Sequence, residues 1–132
     1  MSGNGNTFIK LEVKMPQMEI KNMGKPDEVR SLPKTKIEVV KHGDNTIMRT
    51  TFEPGWKWSE CVKPTVGTHS CQAPHLLYAV SGRMMVRMDD GTQSEISAGE
   101  TALIPPGHDA WVLGNDPCIA IDFAAGATYG KK

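Results

Sequence analysis

The sequence has no excess of charge of either sign, since 15 Lys and Arg residues balance 15 Asp and Glu residues. A protein that attracts nucleic acid or an anionic membrane by its overall field carries a surplus of positive charge. The one basic run is the pair Lys131 and Lys132 at the end of the chain. We therefore expect neither nucleic acid nor a membrane among its partners.

Long apolar runs are also missing. No stretch approaches the roughly 18 apolar residues of a membrane-spanning helix, and the start, MSGNGNTFIK, lacks the basic and apolar regions of a secretory signal. The cysteines, Cys61, Cys71 and Cys118, form no even disulfide framework and no Cys-x-x-Cys pair. A reducing cytoplasm fits these features best, with the cysteines free or one of them on a metal.

Helix-forming windows are scarce, because Gly or Pro interrupts most stretches long enough for a helix. Instead, short segments of strand character alternate with turns rich in Gly, Asn and Asp, which tolerate the backbone angles of tight hairpins. Such spacing predicts one antiparallel barrel or sandwich domain over residues 1–132, with residues 1–7 and 126–132 flexible. The clearest strand segments are 36–40, 46–52, 56–62, 75–80, 84–88, 101–104, 110–113 and 118–123.

Alternation along these segments assigns side chains to faces. Met84 and Val86 lie on one face of their strand, opposite the arginines on either side, so we expect them to face the interior. Trp56 and Trp58 also share a face, as a pair that lines a pocket or simply packs in the core. These four residues are the predicted pocket-lining set.

Four donors of the kind that bind metals occur in the middle of the chain. On extended backbone, His69, Cys71 and His75 point the same way, and His108 follows a Pro-Pro-Gly turn that opens another strand. Nitrogen and sulfur donors suit zinc or another late divalent ion. Each residue also has a structural alternative: a buried histidine bonded to backbone, a small apolar cysteine, or a histidine in an exposed loop or surface turn.

Residues 54–123 resemble the cupins. In their first motif, His-x-His is followed by a glutamate and a glycine; His69 matches the first histidine, Cys71 the second, and His75 takes the glutamate position before Gly82. In the second motif the stretch GETALIPPG matches, but Ala110 stands at the histidine position. The resemblance implies an all-β double-stranded β-helix, the cupin or jelly-roll barrel of small single-domain cupins.

The resemblance also implies one divalent metal ion, held here by a rearranged set of His69, Cys71, His75 and His108. Exchanging one histidine for a thiolate and the glutamate for a histidine keeps one negative charge on the ligands. His108 lies two residues before Ala110, so it keeps the same strand face. A thiolate is a softer ligand than a carboxylate, so zinc is the expected metal, with nickel, copper or iron as alternatives.

Function stays open between three hypotheses at this stage. The chain is a metal-dependent enzyme acting on a small polar molecule in the barrel, a non-catalytic module that binds or senses a ligand or metal, or a barrel without metal. No catalytic residue is assigned. Cupin analogy implies a homodimer, and residues 8–13, which alternate apolar and polar, are a candidate extra strand.

Overall fold

Nine strands and two single-turn helices make up residues 17–131, the part of the chain that this computed structural model describes. The candidate strand at residues 8–13 lies outside that range, as do residues 1–7. The strands are β1 (Glu28–Leu32), β2 (Thr35–His42), β3 (Asn45–Phe52), β4 (His75–Ser81), β5 (Arg83–Met88), β6 (Gln93–Ser97), β7 (Thr101–Ile104), β8 (His108–Leu113) and β9 (Cys118–Asp122). The helices are α1 (Trp58–Cys61) and α2 (Lys63–Val66).

The strands form two antiparallel sheets that enclose the core. One has six strands in the order β1-β2-β3-β9-β4-β7, and the other has three in the order β6-β5-β8. Because neighbours such as β3 and β9 are far apart in sequence, the chain crosses repeatedly between the sheets, as in a jelly roll. The predicted all-β class, a double-stranded β-helix, is confirmed.

Period-two alternation places the inward-facing side chains of both sheets. Along β8 the buried residues are His108, Ala110 and Val112, and along β9 they are Cys118, Ala120 and Asp122. Met84 and Val86 of β5 are each only 6% exposed. The face of β5 that alternation predicts to be interior is therefore interior. The same alternation places His108 of β8 and Asp122 of β9 inside the barrel.

The strand predicted over residues 56–62 is wrong, because α1 occupies most of that segment. Trp58, Cys61 and Val62 are buried, and their spacing of three and four residues is that of a helical face. Pro64 then sits in the first turn of α2, where its missing N–H costs no hydrogen bond. β1 and β6 were not predicted; β6 buries only Ile96 and thus has little apolar pattern.

The last turn of the described chain packs against the barrel. The guanidinium of Arg30 donates hydrogen bonds of 2.7 Å to the carbonyl of Gly126 and of 2.7 Å to that of Tyr129. Tyr129 is 4% exposed. A buried arginine thus anchors Gly126 and Tyr129, two residues of the segment 126–132 for which flexibility was expected.

Across residues 17–131, no helix combines the length and the apolar character that a membrane span requires.

Gly82, which joins β4 to β5, gives a test of how tightly the turns determine the fold. Its φ is +80°, and a Cβ there would lie 2.3 Å from the carbonyl oxygen of Pro117. Gly91 has φ +93° with nothing within 4 Å of such a Cβ. We expect Gly82→Ala to lower the free energy of unfolding by about 3 kcal/mol, the sum of backbone strain and overlap.

The matched variant Gly91→Ala suffers the backbone strain alone and should lose about 1 kcal/mol. Urea unfolding of both variants measures the difference. Equal losses in the two would contradict the close approach at Gly82.

Candidate metal centre and barrel cavity

Cys71 and His108 are brought together by an isolated antiparallel bridge outside the named strand pairs. The Cys71 N–H donates to the His108 carbonyl at 2.8 Å, and the Gly107 N–H donates to the Cys71 carbonyl at 2.7 Å. Gly107, with φ +95°, closes the Pro-Pro-Gly turn that starts β8. The bridge therefore joins the segment before β4 to the start of β8 and places a thiol beside an imidazole.

His75 begins β4 and is held by Asp122, the last residue of β9. The His75 Nδ1 lies 2.5 Å from Asp122 Oδ2, and both side chains are buried. The other carboxylate oxygen, Oδ1, accepts hydrogen bonds from the backbone N–H groups of Ala124 and Ala125 at 2.8 and 3.1 Å. Since the carboxylate accepts from Nδ1–H, the His75 Nε2 is directed elsewhere, toward Cys71.

His108 is oriented in the same manner by a backbone carbonyl. Its Nδ1 lies 2.9 Å from the Pro105 oxygen, which can only accept, so Nδ1 carries the proton. In a neutral ring the lone pair that can bind a metal ion is therefore on the His108 Nε2. The ring lies edge-on to that of His75 at a centroid distance of 5.2 Å. An imidazole with its second nitrogen fixed by a carboxylate or carbonyl is the usual arrangement of a metal-ligating histidine.

The donor atoms of Cys71, His75 and His108 converge in the interior. All three residues are buried, and their ligand atoms lie within 4.8 Å of one another. The Cys71 Sγ is 3.7 Å from the His75 Nε2. A tetrahedral zinc ion with bonds of about 2.3 Å to sulfur and about 2.0 Å to nitrogen places these atoms about 3.5 Å apart. The three residues therefore fit a zinc-like ion if their donor atoms, now separated by up to 4.8 Å, move closer together on binding.

The protonation states also suit metal binding. Burial alone would raise the pKa of the Cys71 thiol, but hydrogen bonds from His108 and His75 outweigh it and lower this pKa to about 6. Burial alone would lower the pKa of His75, but hydrogen bonds with Asp122 and Cys71 raise it to about 9. Without metal, the site at neutral pH is thus a thiolate beside an imidazolium, and the thiolate is the form that binds metals.

A narrow cavity between the two sheets, with about 30 Å³ of space for a water-sized sphere, adjoins this cluster through His75 and His108. Its wall includes the whole predicted pocket-lining set, Trp56, Trp58, Met84 and Val86. Cys71 borders a neighbouring pocket, which shares Trp58 and Tyr129 with the cavity. The remaining wall residues are mostly apolar: Met48, Thr50, Phe52, Leu77, Ile104, Ala110, Ala120, Asp122 and Tyr129.

His69 lies apart from the cluster, contrary to the expectation that it is a fourth ligand. The helix α2 ends at Gly67 in a left-handed conformation, and the bend that follows leaves His69 exposed. It lines a separate surface pocket with Asp89 and Asp109. Side chains two residues apart share a face only along continuous extended backbone, and residues 69 to 74 do not form a strand.

Three further residues of the site were missed from the sequence. Asp122 and Thr50 could have been found, because each continues the inward, apolar face of its own strand. Tyr129 carries no such signal. Its ring lies edge-on to that of His75, with centroids 5.3 Å apart, and burial raises its pKa well above the ordinary value.

Comparisons with known proteins support the fold and leave the activity open. No family model matches the sequence, and no curated protein matches it. Among solved structures, the polyketide cyclase RemF from Streptomyces resistomycificus superposes with a TM-score of 0.60 at 17% identity, covering 83% of this chain and 80% of its own. KdgF from Halomonas sp. gives 0.53 at 21% identity, covering 74% and 86%.

A third solved structure is the oxalate decarboxylase of Lactobacillus farciminis, with a TM-score of 0.55 at 14% identity. It covers 77% of this chain, which spans only 32% of that longer protein. At such identities the likeness establishes the architecture alone. Fold and site together define a double-stranded β-helix barrel with a buried Cys/His/His cluster that can hold a metal.

The thiolate–imidazolium pair makes a measurable prediction for chelator-treated protein. His75→Ala removes a hydrogen-bond donor and a positive charge from the thiolate, so it should raise the pKa of Cys71 by about one to two pH units. Thiolate absorbance, taken as the difference from a Cys71→Ala variant, measures this titration. His42→Ala, at the β2–β3 hairpin, should leave it unchanged; an unaltered titration in His75→Ala would contradict the pairing.

Proposed function

We propose that this chain is a metal-dependent enzyme that holds one divalent ion, zinc, through Cys71, His75 and His108 and acts on a small molecule in the barrel. The observation that carries the proposal is the orientation of the two histidines. Each has its Nδ1 held by an oxygen acceptor, which directs both Nε2 atoms and the thiolate to one buried point.

The number of ligands favours an enzyme over a non-catalytic module. Catalytic zinc sites have three protein ligands and one open position, whereas structural sites are closed by four. With His69 exposed, three ligands remain, and two of them border the cavity. A non-catalytic binding or sensing module is the alternative, and it requires a fourth ligand that closes the site.

The chemistry available at such a site follows from the ion and the residues around it. Bound zinc supplies a Lewis acid that polarises an oxygen or lowers the pKa of water. Asp122 keeps the His75 ring oriented, and Pro105 does the same for His108. Tyr129, whose pKa is raised by burial, keeps its proton at ordinary pH and packs on the His75 ring.

Zinc is preferred because of the thiolate. A soft sulfur donor with two imidazoles suits zinc better than manganese or magnesium, while nickel, copper and iron compete for the same donors. The ligand set carries one negative charge, and Asp122 adds a second next to His75. The cytoplasm, where thiols stay reduced, remains the expected location for a site that depends on a free cysteine.

The homodimer remains a prediction with some structural support. On the outer face of the six-stranded sheet, Leu76, Tyr78, Val80 and Leu103 are between 43% and 78% exposed, and Leu76 pairs directly with Leu103. An apolar patch of this kind on a sheet is typical of an interface. Sedimentation of the wild type against Leu103→Asp tests whether a dimer depends on this face.

Metal analysis of the purified protein tests the proposal. We expect about one zinc ion per chain in the wild type, and a loss of most of it in Cys71→Ala, His75→Ala and His108→Ala, because each removes one of three ligands. His69→Ala is the matched control and should retain the metal. Equally low metal in the wild type and all variants would contradict the proposal; loss in His69→Ala would favour the closed site.

The role of Asp122 as a positioning residue gives a second expectation. Asp122→Asn weakens the acceptor for His75 Nδ1–H, so zinc affinity should fall about 10- to 100-fold. The control Asp109→Asn changes a carboxylate that lines a separate surface pocket, and it should leave the zinc affinity unchanged. Competition with a zinc-binding dye measures both; unchanged affinity in Asp122→Asn would show that the hydrogen bond does not support the site.

A further inference from the structure

The pocket that Cys71 borders, called the outer pocket below, is formed by α1, α2, the loop before β4 and residues 128–131 at the end of the described chain. It has about 260 Å³ of space for a water-sized sphere, against about 30 Å³ in the cavity between the sheets. Small molecules bind in concave sites of this kind, often in the mouth of a barrel. Of the two spaces that adjoin the cluster, only the outer pocket therefore has room for one.

Tyr129 presents an unpaired hydroxyl group at this pocket. The residue is only 4% exposed, and its backbone bonds with Arg30 and Ala125, but its hydroxyl has no hydrogen-bond partner among residues 17–131. The unpaired atoms that are sealed from water belong to Thr50 and Trp56, so the hydroxyl of Tyr129 is within reach of a molecule in the pocket. Buried tyrosine hydroxyls usually find a partner. This one is a donor that awaits an acceptor.

The charges around the outer pocket favour an acceptor that is negatively charged. Besides Cys71, the one ionisable side chain with a full charge among the described lining residues is Lys131, and no Asp or Glu lines the pocket. Lys131 pairs with Glu28 at 3.4 Å, but that carboxylate also pairs with Arg30 at 2.7 Å and with Lys41 at 3.3 Å. One negative charge shared by three positive ones leaves Lys131 incompletely neutralised.

The rest of the wall is largely apolar. Trp58 and Val62 are buried, and Val66 and Ala73 are partly buried against the core. A short hydrocarbon body gains free energy when it leaves water for such a surface. A carboxylate with a body of a few carbon atoms thus matches both parts of the wall.

We propose that a small organic acid binds in the outer pocket and that the Tyr129 hydroxyl donates a hydrogen bond to its carboxylate. The Tyr129 ring is edge-on to that of His75, with centroids 5.3 Å apart, so the acid is bound next to the cluster. The inference deepens the proposed function and rests on it only for the metal ion as a further partner of the carboxylate. The pocket and the hydroxyl are independent of the ion.

Isobutyrate and isobutyramide, which differ in charge but hardly in shape, are the probes that test the inference. Calorimetric titration gives their dissociation constants. We expect the wild type to bind the acid more tightly than the amide, and Tyr129→Phe to weaken isobutyrate about fivefold by removing one hydrogen bond. The matched control is Tyr78→Phe, which changes the other tyrosine of the chain, on the outer face of β4, and should leave the affinity unchanged.

The titrations are run on zinc-loaded and on chelator-treated protein. A weakening in Tyr129→Phe that is seen in both supports the inference even if the wild type proves to carry no zinc, a result that would end the proposed function alone. Unchanged affinity in Tyr129→Phe would mean that only water pairs with the hydroxyl, and it would overturn the inference. Equal binding of the two probes, or no binding of isobutyrate by the wild type, would do the same.

Access through the outer pocket is tested on chelator-treated protein, where zinc plays no part. Iodoacetamide labels Cys71, and peptide mass spectrometry distinguishes it from the other cysteines. Thr128→Trp places an indole in the pocket wall and should slow this labelling about tenfold, because the thiol becomes less accessible. Ala127→Trp changes an exposed neighbour that does not line the pocket, and it should leave the rate unchanged. Equal rates in the two variants would show that the pocket does not lead to the cluster.

Stability without ligand is an independent readout. Because the Tyr129 hydroxyl has no partner in the described part of the chain, Tyr129→Phe keeps the packing against His75 and should not lower the midpoint of urea unfolding. A lower midpoint would mean that the hydroxyl has a structural partner, and it would remove Tyr129 from the proposed site.

Discussion

The carboxylate of Asp122 is buried at the end of β9, where an ionised group is tolerated only if its oxygens are paired. One oxygen takes the Nδ1–H of His75, and the other takes two backbone N–H groups of the turn after the strand. The first contact leaves the His75 Nε2 as the atom that faces Cys71. The second turns the chain back toward the barrel. A single buried charge thus determines both the orientation of a metal ligand and the course of the last described segment.

The last described segment, which contains Tyr129, also packs against the site. Arg30 donates to the carbonyls of Gly126 and Tyr129, and it also pairs with Glu28 at 2.7 Å, which lowers the pKa of Glu28 to about 2. The arginine is therefore neutralised while it holds the turn. Tyr129 is thereby kept against the ring of His75 and lines the cavity as well as the pocket next to Cys71. The cluster is enclosed by groups that are distant in sequence.

Much of this architecture could be predicted from local signals. Turn glycines and the two-residue alternation identified the barrel and seven of its strands, and the position of His108 two residues before Ala110 predicted a histidine on the inner face of β8. His69 was misplaced because alternation applies only within a continuous strand, and the backbone before Cys71 bends. Trp58 was assigned to a strand although its buried neighbours follow helical spacing. Arg30 and Tyr129 could not be predicted, since their contact joins residues 99 positions apart.

The site and the cavity make one arrangement in which a buried cluster of soft donors, able to hold a metal ion, lies at the edge of a mostly apolar cavity. Its central element is the set of one sulfur and two imidazole nitrogens. X-ray absorption at the zinc edge reads those ligands directly. The account predicts one sulfur at about 2.3 Å and two or three nitrogen or oxygen atoms at about 2.0–2.1 Å. A shell of nitrogen and oxygen alone, with no sulfur, would contradict it.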